Sequence, residues 1–166
     1  MPDYTDEEIQ EARRVVQNHD GPSLHLTYAE LACRDTARTP YPPMWYAFRL
    51  VLLAAEFEAI RELCCADLGR DVPLTVNSAY RTPEYNRRIG GAEWSQHCEG
   101  RALDIEKPKG MSLNRFFDLC MLRATTTGSL IRGIALYTVG QFVHIDTRVN
   151  GKLVTWHNNT RDRTPG

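Results

Sequence analysis

With 166 residues, and 20 Lys and Arg against 21 Asp and Glu, the chain is one domain's worth of sequence, long enough for a buried core. The formal net charge of -1 excludes the basic footprint expected of a nucleic-acid partner. The longest apolar run, around 50–55, is too short to span a membrane, and the acidic, polar start of the chain is unlike a secretory signal, so a soluble chain made in the cytoplasm is expected. The cysteines are Cys33, Cys64, Cys65, Cys98 and Cys120, an odd number without a C-x-x-C pair. Neither a disulfide framework nor a zinc knuckle fits them, and Cys64, Cys65 and Cys120 read as small core hydrophobes.

In chain order, Thr5 and Glu8 form a capping-box pattern that opens an amphipathic helix to about Asn18. Thr27 and Glu30 repeat the pattern and start a short helix to about Cys33. After the prolines at 40, 42 and 43, a long helix over 44–68 stops at Gly69, and its dense apolar residues predict burial on more than one side. The period then changes. A strand is predicted over 72–80, a short helix from Arg81 to Gly90, and a second strand over 101–105. Ser112 caps a helix to about Ala124. Segments 131–137 and 142–147 read as a hairpin, 153–156 as a last strand and 158–166 as a loose tail. The expected fold is a single α+β domain. Residues 1–71 are mainly helical, and 72–157 form a small, mainly antiparallel sheet with helices on one face.

The chemistry gathers in two places. His97 lies seven residues before Asp104, with Gly100 between them to let the loop fold back. His144 and Asp146 alternate on one face of a strand, while Val143 and Ile145 face the core. Two imidazoles and a carboxylate make a ligand set suited to a catalytic zinc with one position open. Spacing alone leaves an ordinary loop histidine, turn carboxylate and core histidine equally open.

The pattern Ser95-x-His97-x-x-Gly100-x-Ala102-x-Asp104, followed by Phe142, Val143 and His144, resembles the zinc D-Ala-D-Ala carboxypeptidase and murein endopeptidase family. That family sits in a wider group with lysostaphin-type peptidases and the hedgehog signalling domain. Ser78, Tyr80 and Arg81 are similar to its Ser-x-Tyr-Arg segment. Residues 133–137 and 142–147 resemble its C-terminal hairpin, closest to the endopeptidase branch with a His-x-Asp motif. The resemblance covers roughly 72–156.

It implies zinc on His97, Asp104 and His144, peptidoglycan peptides as substrate, and Arg81 as a residue that clamps a substrate carboxylate or stabilises an oxyanion. An alternative for Arg81 is a local ion pair with Glu84. Ser95, Gln96, Trp94 and Tyr137 are expected to line the substrate groove, although Trp94 could equally pack on the sheet. Many carboxypeptidase members carry an acid three positions before the last histidine; here that residue is Gln141. Asp146 is therefore the expected general base, the alternative being that it only orients a ligand. His157 reads as a surface residue, His19 and His25 as loop residues, and Cys98 as too divergent from His97 to pair with it. Without a leader, such a protein would reach the wall by phage release or another export route. The rival reading is a zinc-binding module that recognises peptidoglycan without cutting it.

Overall fold

The computed structural model describes residues 5–8, 10, 11, 14, 20–149 and 151–158. The first capping box is in place, with the Thr5 amide donating to Glu8 Oε2 at 2.8 Å. The predicted end of that helix near Asn18, His19 and the tail beyond 158 lie outside the described residues. Helix α1 spans Tyr28–Leu31, closed at its start by the reciprocal Thr27–Glu30 box.

The long helix is interrupted. α2 (Pro43–Trp45) passes through a π-helical turn, Tyr46–Leu50, into α3 (Val51–Leu68). Gly69 ends α3 in the left-handed conformation, φ 63°, as its position predicts. α4 is Pro83–Arg88, with Thr82 as N-cap and proline in the first turn; α5 is Leu113–Thr125, capped by Ser112.

The strands are β1 (Thr75–Ser78), β2 (Ala102–Glu106), β3 (Gly133–Tyr137), β4 (Phe142–Asp146) and β5 (Val154–Asn158), in the order β1-β2-β4-β3-β5. All neighbours are antiparallel except β3 and β5, which are parallel. β1 is shorter than the predicted 72–80. Its register slips between Val76 and Ser78, and the chain then leaves the sheet, with the Tyr80 amide donating to Leu31 and the Arg81 amide to His97. That departure positions the site described below.

Strand alternation sorts the sheet into two faces. Leu103, Ile105, Ile134, Leu136, Val143 and Ile145 join one buried cluster with Leu53, Phe57 and Ile60 of α3 and Phe116 and Leu119 of α5. Each such fully buried side chain contributes about 1.5–3 kcal/mol by leaving water. Cys64 and Cys120 lie in that core, whereas Cys65 is only half-buried and its thiol accepts from the Val72 amide.

One buried charge crosses the core: Glu56 of α3 accepts Arg123 Nε and Nη2, the Ser129 hydroxyl and the Leu130 amide. Four donors on one carboxylate replace its lost hydration and tie α3 to α5 and to the segment entering β3. The opposite face of the sheet carries Asp104, His144, Asp146, Gly133, Ala135, Tyr137 and Trp156.

Candidate metal centre

Asp104 and His144 are direct cross-strand partners on β2 and β4, which brings their side chains together on one face. His97 reaches them from the loop before β2. That loop is pinned to the segment leaving β1: the Arg81 amide donates to the His97 carbonyl at 3.2 Å, and His97 Nδ1 sits 2.6 Å from the Ala79 carbonyl. The Ser95 hydroxyl, itself buried, accepts from the His97 amide at 3.3 Å, and the Gly100 amide turns back onto the His97 carbonyl at 3.2 Å.

The ligand-type atoms of His97, Asp104 and His144 all lie within 4.8 Å of one another, a grouping that could hold a metal ion. All three residues are buried. Asp104 Oδ1 is 3.2 Å from His97 Nε2 and 2.8 Å from His144 Nδ1, while Arg81 Nη2 donates to Asp104 Oδ2 at 2.9 Å. Each imidazole also has its other nitrogen occupied. A carbonyl can only accept, so His97 Nδ1 carries a proton and Nε2 keeps a lone pair toward the site. His144 Nε2 faces Asp146 Oδ2 at 3.0 Å, which leaves Nδ1 for an ion. Outer partners that fix ring orientation in this way are the usual support of metal-ligating histidine.

The electrostatics of the metal-free site differ between the two rings. Burial lowers the His97 pKa, and Arg81 adds to the effect against the pull of Asp104, so this ring is neutral near pH 7. Burial also opposes charge on Asp104, but His97 and His144 outweigh it and hold the carboxyl far below its ordinary range. On His144, burial is outweighed by hydrogen bonds donated to Asp104 and Asp146, and the pKa is raised. Neutral and anionic donors with three protein positions suit a divalent ion.

Residues 24–146 match the family model described as Peptidase M15. The chain belongs to the peptidase M15 family. No curated protein matches it.

M15 membership places the expected site residues in context. Arg81 is buried and paired with Asp104 and the Ser78 hydroxyl, so its partner is the carboxylate of the metal group and not the nearby Glu84. Asp146 is tied to two neighbours. It is fully buried, bonded to His144, and clamped by Arg148 through the backbone amide at 3.1 Å, Nε at 2.7 Å and Nη2 at 2.5 Å. Burial would raise its pKa, yet Arg148 and His144 overcome this and hold it well below the carboxylate range. A carboxylate so engaged is held in its ionised form between His144 and Arg148. Gln141 occupies a left-handed turn position, φ 55°, and its side-chain amide donates to the Thr138 carbonyl.

Trp94 is 84% exposed and does not pack on the sheet. It lines a cleft of about 730 Å³ with Asn86, Arg87, Ser95, Gln96 and Cys98, on the outer side of the loop that turns His97 inward. Tyr137 is not on that cleft. It is 3% exposed, stacked on Phe142 at 4.5 Å, with Trp156 Nε1 donating to its hydroxyl at 3.4 Å. Its ring is therefore held by Phe142 on one face and its hydroxyl by Trp156.

His157 is exposed and meets Phe117 of α5, and His25 pairs with Glu58. Sequence reasoning missed Arg148 and Trp156, which both touch the site. Their only signal was strand alternation two residues past Asp146 and an aromatic in the last strand.

Proposed function

We propose that this chain is a zinc-dependent metallopeptidase that hydrolyses peptide bonds in the stem peptides or cross-links of bacterial peptidoglycan. One observation carries the reading: two imidazoles and a carboxylate converge, each ring oriented by an outer partner, in a chain of the peptidase M15 family. Zinc, when bound, supplies Lewis acidity toward a peptide carbonyl and toward water. His97, Asp104 and His144 hold it. Arg81 sets a buried positive charge beside Asp104, which supports a role in stabilising negative charge that develops on the scissile carbonyl. Asp146 orients His144. Gln96 and Trp94, on the cleft side of the metal loop, contact the substrate, and the buried Ser95 shapes that loop.

The test is mass spectrometry of muropeptides after incubation with sacculi of several cross-link types, with and without a zinc chelator. Chelator-sensitive fragments are expected, and their masses name the bond. A second reading, a zinc module that binds peptidoglycan without cutting, is favoured by the engagement of Asp146 and by the amide at Gln141. One equivalent of bound zinc with no fragments from any wall would select it.

The site also has a pH signature. Because its pKa is raised, His144 stabilises the metal-free fold fully below the unfolded histidine value, about 6.5, and that contribution fades as pH rises through the folded value. Zinc must displace the Nδ1 proton, so its affinity moves the opposite way and grows with pH. We expect release of about one proton per zinc at pH 6, and an apparent Kd that improves about tenfold per pH unit until His144 has titrated. Calorimetry in two buffers of different ionisation enthalpy counts the proton. A count of zero at pH 6 would mean that His144 is already neutral there, against its raised pKa.

A further inference from the structure

We infer that Arg148 and Trp156 are positioning residues for the metal site, forming with Asp146 a closed frame that holds the His144 imidazole in its ligating orientation. This rests on the zinc reading above and extends it to residues that touch no reacting group.

The frame is a circuit of four side chains. His144 Nε2 bonds Asp146 Oδ2 at 3.0 Å. Asp146 takes two side-chain donors from Arg148, one on each oxygen, at 2.7 and 2.5 Å. The Arg148 guanidinium carbon lies 5.3 Å from the centre of the Trp156 ring, within cation–π range. Trp156 returns to His144, with ring centres 5.3 Å apart and planes tilted by 50°. A single hydrogen bond leaves an imidazole free to rock about it. A second contact on the ring face removes that freedom, and the planar fork of arginine fixes the carboxylate plane from which the hydrogen bond departs.

The strand β3 is shaped for this frame. Ala135 pairs with His144 on one side and Trp156 on the other, so the three lie in one row across the sheet. The outer two backbones are therefore roughly 9–10 Å apart, twice the strand spacing. Only a small residue between them lets the two rings lean together to 5.3 Å. One row away, Gly133 pairs with Asp146, and a Cβ there would stand 2.1 Å from Asp146 Oδ2. Both residues of β3 that underlie the frame are thus small where bulk would break it. Trp156 is also held at its far end, by its donation to the buried Tyr137 hydroxyl. β5 consequently has a purpose beyond closing the sheet.

The test measures zinc affinity by competition with a chromophoric chelator, together with the visible spectrum of the cobalt-substituted protein. The variants are Arg148→Gln, Arg148→Lys and Trp156→Phe. Arg115→Gln serves as control, because it removes a similar Arg–Asp67 ion pair on the surface away from the site. Loss of an outer partner of a metal ligand typically weakens metal affinity 10–100-fold, and we expect about that for Arg148→Gln, with shifted cobalt bands. Arg148→Lys keeps the charge without the fork and should fall between. Trp156→Phe should keep most of the affinity and shift the bands, and Arg115→Gln should match the parent on both readouts. Should Arg148→Gln fail to fold, Arg148→Lys and Trp156→Phe decide on the same readouts. Folded variants with zinc affinity within twofold of the parent and unchanged cobalt spectra would overturn the inference. A parent protein that binds no zinc would instead remove the metal reading on which it rests.

Discussion

Asp104→Ala is expected to abolish stoichiometric zinc binding and peptide hydrolysis, and to lower the stability of the metal-free protein by about 3–5 kcal/mol. The first effect is chemical: the substitution removes the one anion of the ligand set and leaves two neutral rings. The second is electrostatic. Asp104 has His97 Nε2 and His144 Nδ1 beside one oxygen and accepts from Arg81 on the other, all in a buried site. Without it the Arg81 guanidinium stays buried and loses its carboxylate partner, a larger penalty than the net worth of the pair.

The two effects separate with Asp104→Asn, which keeps the shape and part of the hydrogen bonding but not the charge. Zinc binding should be lost in both variants, whereas the stability loss should be smaller in the amide. The pH dependence fixes the sign. The Asp104 pKa is depressed in the fold, so its stabilisation is present above the unfolded carboxylate value, about 3.9, and is lost as pH falls below it. Denaturant titrations should show a gap between parent and Asp104→Ala that persists from pH 7 to about 5 and closes as pH falls below about 4. A gap under 1 kcal/mol at pH 7 would show that Arg81 is not the partner on which this corner of the fold depends.

The residues of the metal group were legible because each part rests on a local rule. Alternation put His144 and Asp146 on one face, and the left-handed glycine let the loop bring His97 back. Alternation names a face and not an atom, however. Nothing in the spacing says that Arg148 would take both oxygens of Asp146, and that capture decides whether the carboxylate is free to accept a proton. The same holds for Tyr137: alternation names its face, but not its stack on Phe142 or its bond from Trp156. The orientation of β5 was equally hidden. A strand that pairs with a neighbour two segments earlier can run either way, and here it runs parallel. Glu56 shows the limit most plainly, since its partners lie 67 and more residues away in sequence.

Gly100→Ala carries the second large effect, because two independent penalties meet at that residue. Its φ is 64°, a conformation that costs an L side chain about 1–2 kcal/mol. The space is also taken: a Cβ there would stand 2.5 Å from the Trp45 ring and 2.8 Å from Tyr41, both buried. Crowding a packed core typically adds about 1–3 kcal/mol, so the sum is about 2–5 kcal/mol. For a domain of this size that corresponds to a fall in Tm of about 10 °C.

Gly69→Ala provides the reference. Gly69 has nearly the same φ, 63°, with no atom within 4 Å of the added methyl, so it pays the backbone penalty alone. The excess of Gly100→Ala over Gly69→Ala therefore measures the collision with Trp45 and Tyr41. That collision also has a functional direction. Gly100 is bonded back to the His97 carbonyl, and Arg49, stacked on Trp45, holds the neighbouring Glu99 carbonyl. Where the two packed rings hold their place, relieving the methyl moves the loop that carries His97. Zinc affinity should fall in Gly100→Ala and stay unchanged in Gly69→Ala. Equal loss of stability in the two variants, with zinc affinity intact, would mean that the aromatic pair yields freely and does not set the position of the metal loop.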